Sequence, residues 1–188
     1  MRVQSNRKKS SEPGEKSQLS EVPDIVAPGL QILFVGFNPG IRSALTGHHF
    51  AGYSNRFWKL LFESGLTPRQ YSPEEGSLLL ELGYGITNIV ARPTRSAAEI
   101  KKSEYKAGSR RLKRLIEELE PKIVCYQGIQ VYKEFSGRRT IRCGQQPTSV
   151  VEGVIDFVVP SPSGLNRISF ADLLKWHKQL KLLKDSIA

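Results

Sequence analysis

The sequence predicts a three-layer αβα sandwich built on a mainly parallel, four-stranded central sheet. Two observations carry that reading. Short apolar runs alternate with amphipathic stretches of helical period, the pattern of strands joined by crossover helices. The apolar runs also stop at Gly or Pro, as buried strands do when they break into turns.

The first strand is expected over residues 31–36. Residues 55–64 then set Phe57, Leu60, Leu61 and Phe62 on a helical stripe, with Ser54 as N-cap and Gly65 as the stop. A second helix is expected over 73–82, with Pro73 in its first turn. Residues 85–90 read as strand two, closed by Arg92-Pro93. The stretch 103–119 is a long amphipathic helix with Leu112, Leu115, Ile116 and Leu119 inward. Its Arg110, Arg111, Lys113 and Arg114 are expected on a solvated face. Strand three is expected over 122–126, followed by Gln127-Gly128 and a short helix to Phe135. Strand four is expected over 154–159, and a last helix from Ser169 to about Lys184.

A chain of 188 residues suits one well-buried domain and a tail. Residues 1–22 carry almost no large apolar group, so they are expected to be a disordered basic tail ahead of a domain over 23–188. Within the tail, Arg7-Lys8-Lys9 reads as a solvated charge cluster. No internal repeat follows. Lysine and arginine number 28 against 18 acids, a net charge of +10 that favours a polyanion partner through attraction and counterion release. Cys125 and Cys143 are too few and too far apart for a zinc ribbon, an iron–sulfur cluster or a disulfide scaffold, and they fit a reducing compartment. No stretch approaches the length of a membrane span, and the N-terminus lacks the apolar core of a signal peptide.

Chemistry concentrates in two loops. Gly36-Phe37-Asn38-Pro39-Gly40 directly follows the first strand. Its glycines allow close backbone approach, Pro39 stiffens the turn, and Asn38 offers an amide that donates and accepts without ionising. Pro160-Ser161-Pro162-Ser163-Gly164-Leu165-Asn166-Arg167 follows the last strand as a stiff loop with Leu165 exposed near its tip. In a parallel sheet both loops emerge at the same edge, where open α/β sheets bind ligands.

Together these residues resemble the mismatch-specific uracil-DNA glycosylase and thymine-DNA glycosylase family. The first motif matches with Phe37 in place of isoleucine, and Ser161 to Arg167 is similar to the second. Thr46-Gly47, Phe50-Ala51, Asn55-Arg56-Phe57-Trp58 and Arg92-Pro93-Thr94 resemble family segments in the same order, so the likeness covers residues 24–180. It implies a uracil-DNA glycosylase-like fold and a monofunctional enzyme that flips uracil, or thymine and related lesions, from a mismatch with guanine and hydrolyses its glycosidic bond.

In that reading Asn38 is catalytic and orients water. Phe37, Phe50 and Ser161 bind the base, Phe50 by stacking. Gly40, Ser163, Gly164, Leu165, Asn166 and Arg167 bind DNA, with Leu165 as the wedge. Two residues depart from the relatives: Ser161 stands where bacterial members place Asn, which loosens base-edge recognition, and Ala91 where an acid often precedes the Arg. A mismatch-binding module without turnover, or a glycosylase whose range includes deaminated purines, remain open alternatives. His48 and His49 are expected to be solvated loop residues rather than acid–base groups, and no metal or cofactor is implied. The expected partner is double-stranded DNA with mismatched or deaminated bases, met by a monomer. The expected location is the cytoplasm, at the nucleoid in a bacterium or in the nucleus of a eukaryote.

Overall fold

The structure is a computed structural model that describes residues 19–187. The expected tail therefore lies outside the described residues except for 19–22, of which Val22 is already buried. Five strands run β1 (Ile32–Gly36), β2 (Tyr84–Asn88), β3 (Ile123–Gln127), β4 (Gly144–Gln145) and β5 (Ile155–Val159). They form one sheet in the order β2-β1-β3-β5-β4. Every pairing is parallel except β4 with β5. The expected four strands are thus all present. The fifth, β4, spans two residues and is too short to leave a periodic signal.

Side chains alternate across each strand, so the sheet builds two cores. On one face Ile32, Phe34, Ile86, Cys125 and Phe157 pack against α2 (Phe57–Glu63) and α5 (Phe170–Ser186). On the other, Leu33, Val35, Val124, Tyr126 and Val158 meet α3 (Lys102–Leu119) and α4 (Ile129–Ser136). β1 and β3 are buried on both faces, which is why they read as continuous apolar runs. Among the described residues no helix is long and apolar enough to cross a membrane.

Several local expectations change. A short helix, α1 (Ile41–Thr46), follows the first motif and ends at Gly47. The N-cap of α2 is Arg56 rather than Ser54, and the Asn55 Oδ1 accepts the Phe57 N–H at 3.0 Å. Ser54 is instead held in a turn closed by the Asn55 N–H bonding to the Gly52 carbonyl at 2.9 Å. Residues Pro73–Leu82 wind as a 3-10 helix, opened by a Ser72/Glu75 capping box. Gly76 of this segment sits so close to Ile25 and Trp58 that a side chain there would collide. Arg111 is only partly solvated: it pairs with Asp24 at 2.8 Å and donates to the Asn88 carbonyl at the end of β2.

Candidate active site

The C-terminal ends of β1, β2, β3 and β5 open into a cleft of about 570 Å³, within the range of small-ligand sites. Of the expected residues, Phe37, Asn38, Gly40, Phe50, Ser161, Ser163, Gly164 and Leu165 line it, while Asn166 and Arg167 do not. The two motifs, more than a hundred residues apart in sequence, therefore share one site.

Asn38 is oriented by its neighbours. Its Nδ2 lies 2.8 Å from the Thr94 Oγ1, 3.2 Å from the Arg92 carbonyl and 3.1 Å from the Pro39 carbonyl. Carbonyl oxygens only accept, so the amide nitrogen must face this side. Thr94 gives its own proton to the Ser96 carbonyl at 2.9 Å and so accepts from Asn38. Both amide protons are thereby committed, and Oδ1 is left as an acceptor. The Arg92 backbone is itself steadied, because its guanidinium pairs with Glu104 at 2.7 Å. That arginine holds the Glu104 carboxyl down at about 2.

A second amide is set by a different chain. His49 was expected in solvent but is buried. Its Nε2 meets the Pro23 carbonyl at 2.9 Å and its Nδ1 meets the Asn88 Nδ2 at 3.2 Å. The carbonyl requires a proton on Nε2, so Nδ1 accepts from Asn88 and the ring is neutral. Burial lowers the His49 pKa, opposed by the Pro23 carbonyl and by Asp24. Asn88 then turns its Oδ1 over Gly36, 2.3 Å from where a Cβ would stand, with the Phe50 Cζ at 3.2 Å. Only glycine at position 36 leaves room for this amide and ring.

Phe50 stacks on Phe57 with centroids 4.0 Å apart and planes at 22°. Its φ of 53° places a bulky residue in the left-handed region, a strain of about 1–3 kcal/mol that concentrates at functional sites. Phe37 lines the cleft but leans its ring on Tyr105, 5.3 Å away. Gln127, at the end of β3, is buried on the cleft wall. Its Nε2 reaches the Cys125 Sγ at 3.2 Å, while its Oε1 has no partner. Burial raises the Cys125 pKa and keeps it a thiol. Cys143 is also free.

The second motif is a braced loop. Leu165 is 88% exposed at its corner, in a turn closed by the Asn166 N–H on the Ser163 carbonyl at 3.0 Å. Asn166 spends its side chain inside the loop, donating to the Ser161 carbonyl at 2.8 Å and accepting from the Ile168 N–H at 3.2 Å. Arg167 is exposed beside it. Arg56 gathers the loop from below. Its guanidinium donates to the carbonyls of Ile168 at 2.7 Å, Ser163 at 2.9 Å, Asn166 at 3.0 Å and Pro162 at 3.3 Å. One rigid fork thus fixes four carbonyls.

Sequence reasoning missed the roles of Thr94, Arg56, Asn88, His49 and Gln127. Thr94 and Arg56 fall in segments that carry the resemblance, but their partners lie 56 and more than 100 residues away. No spacing rule reaches that far.

Comparison with known proteins identifies the family and the fold. The uracil DNA glycosylase superfamily matches residues 23–184, and the chain belongs to that superfamily. Its fold is similar to a solution NMR structure from Methanosarcina acetivorans of a protein described provisionally as a uracil DNA glycosylase. The TM-score is 0.63 at 20% identity, over 88% of this chain and 98% of the other. At that identity the likeness concerns the fold.

Proposed function

We propose that the protein is a monofunctional DNA glycosylase that flips uracil out of a G·U mismatch and hydrolyses its bond to the sugar, leaving an abasic site. The observation that carries this is the Asn38 amide, whose donors are tied to Thr94 and Arg92 and whose acceptor remains for a water. In a largely dissociative reaction the C1′–N1 bond breaks first and its electron pair leaves with the base. The water held at Asn38 then bonds to C1′ and sheds its proton to solvent. An amide aims the water but abstracts little proton, so turnover is slow. Backbone N–H groups of residues 37–40 are the candidates to stabilise the departing anion.

Base choice follows from Asn88. Its Oδ1, over Gly36, is an acceptor, and it matches the N3–H of uracil or thymine. Cytosine presents an acceptor at the same ring position and leaves both acceptors unpaired, a mismatch costing about 1–3 kcal/mol when buried. Deamination of adenine likewise turns an acceptor into an N–H donor, so the same oxygen supports a range extending to deaminated purines. No lysine lines the cleft among the described residues, which supports hydrolysis without a Schiff base.

The test is single-turnover incubation with G·U, G·T, A·U and G·hypoxanthine duplexes. Strand breaks that need alkali and are strongest at G·U are expected. Breaks without alkali would contradict a monofunctional enzyme, and no release from any duplex would contradict the reading as a whole.

A further inference from the structure

Leu165 is not alone on the rim of the cleft. Tyr53 is 90% exposed at the corner of the turn that the Asn55 N–H closes on the Gly52 carbonyl, the neighbours Gly52 and Ser54 lining the cleft. Single exposed apolar residues are common and need no explanation. Three features set Tyr53 apart. Its ring is held: the Arg42 guanidinium lies 3.7 Å from the ring centroid, and the Arg42 Nε is fixed to the Ala51 carbonyl at 2.7 Å. One face of the ring is therefore covered by a cation, and the other is free.

The Tyr53 turn also abuts the Leu165 turn. A Cβ on Gly164 would fall 2.1 Å from the Ser54 Oγ and 2.9 Å from the Ser54 carbonyl, so the two turns touch back to back with no space between. Finally, one residue anchors both. Arg56 follows the Tyr53 turn directly and binds four carbonyls of the Leu165 loop. Two tight turns, packed together and pinned at one point, hold two exposed apolar tips beside one cleft. Around them Arg42 and Arg95 line the cleft and Arg167 is exposed, a setting that suits a polyanion.

From this juxtaposition we infer that Tyr53 is a second prong, packing on the duplex next to the gap that Leu165 enters. The inference rests on the glycosylase reading. An aromatic face suits the exposed face of a base whatever its identity, so the contact is independent of sequence. Its cation-capped side faces the phosphates. With both tips inserted, the opened stack is covered on two sides and the extruded nucleotide is kept from returning. The hydroxyl plays no part.

The test uses the full chain and a duplex carrying 2′-fluoro-deoxyuridine opposite guanine, whose glycosidic bond resists cleavage, so binding is read without turnover. Tyr53→Ala is expected to weaken duplex binding about tenfold, the size of one lost aromatic stack. The same variant should bind the identical single strand within twofold of wild type, because a single strand has no gap to fill. Tyr53→Phe should match wild type on both. Duplex binding by Tyr53→Ala within twofold of wild type would overturn the inference. So would an equal loss on duplex and single strand, which would place Tyr53 in the base pocket or in general DNA attraction. Uracil release from an unmodified G·U duplex is followed in parallel. Normal binding with no release would contradict the glycosylase reading and leave the Tyr53 result standing.

Discussion

The Asn38 amide nitrogen and the Thr94 hydroxyl lie 2.8 Å apart, joining the loop after β1 to the segment after β2. With the Arg92 and Pro39 carbonyls this contact holds the amide nitrogen on the Thr94 side and leaves Oδ1 as the acceptor. In the proposed mechanism, losing it loosens an amide then held only by the two carbonyls and misplaces the attacking water, and errors of about 1 Å can cost on the order of 10²-fold in rate. Thr94→Val should therefore slow single-turnover release tenfold to a hundredfold with DNA affinity unchanged, and Thr94→Ser should restore it. A Thr94→Val enzyme as fast as wild type would remove Thr94 from the mechanism.

Arg56 is predicted to act on the duplex through the loop it braces. Arg56→Lys keeps the charge but loses the planar fork. It should lower stability by about 2 kcal/mol, since several charge-assisted hydrogen bonds go with it. It should also raise the KM on duplex more than on single strand, because only the duplex must be wedged open. Chemical denaturation with steady-state kinetics on both substrates checks this, and an unchanged KM ratio would count against it.

Gln127 keeps a buried oxygen without a partner, which costs about 1–3 kcal/mol. Gln127→Leu should accordingly be more stable than wild type, by about 1 kcal/mol, with an unchanged range of released bases. Thermal melts and the lesion panel together test this. A variant that is less stable than wild type would contradict this.

His177 gives a pH signature to folding. It is buried on α5 with its Nδ1 donating to the Leu173 carbonyl at 2.9 Å and its Nε2 unpaired. Burial lowers its pKa from the ordinary 6.5 to about 4. The unfolded chain thus takes up a proton below pH 6.5 that the folded protein refuses until about pH 4. This contribution is complete above pH 6.5 and is lost as the pH falls toward 4, by on the order of 3 kcal/mol. Asp156 works in the opposite sense, since burial raises its pKa and favours its neutral form at low pH. Removing the ring isolates its share: His177→Leu should lose less stability than wild type between pH 7 and pH 5 in urea melts. Equal losses would contradict the assignment.

The strands were legible because burial on both faces leaves unbroken apolar runs, as in Ile32 to Val35 and Ile123 to Tyr126. The site was legible to the extent that it sits in two contiguous motifs. What escaped depends on contacts between distant segments. His49 looks solvated in sequence, and only the Pro23 carbonyl and Asn88 make it a buried, neutral ring. Arg111 sits in a row of basic residues, and only Asp24 and the end of β2 single it out. Tyr53 carries no local signal, because a turn tip reveals its neighbour only in three dimensions.

The central claim is that Asn38 positions the attacking water, and single-turnover release from a G·U duplex by Asn38→Ala tests it most directly. Wild type should yield alkali-sensitive strand breaks, while Asn38→Ala should bind the duplex with near wild-type affinity and yield almost none. An Asn38→Ala enzyme that releases uracil at the wild-type rate would contradict the account.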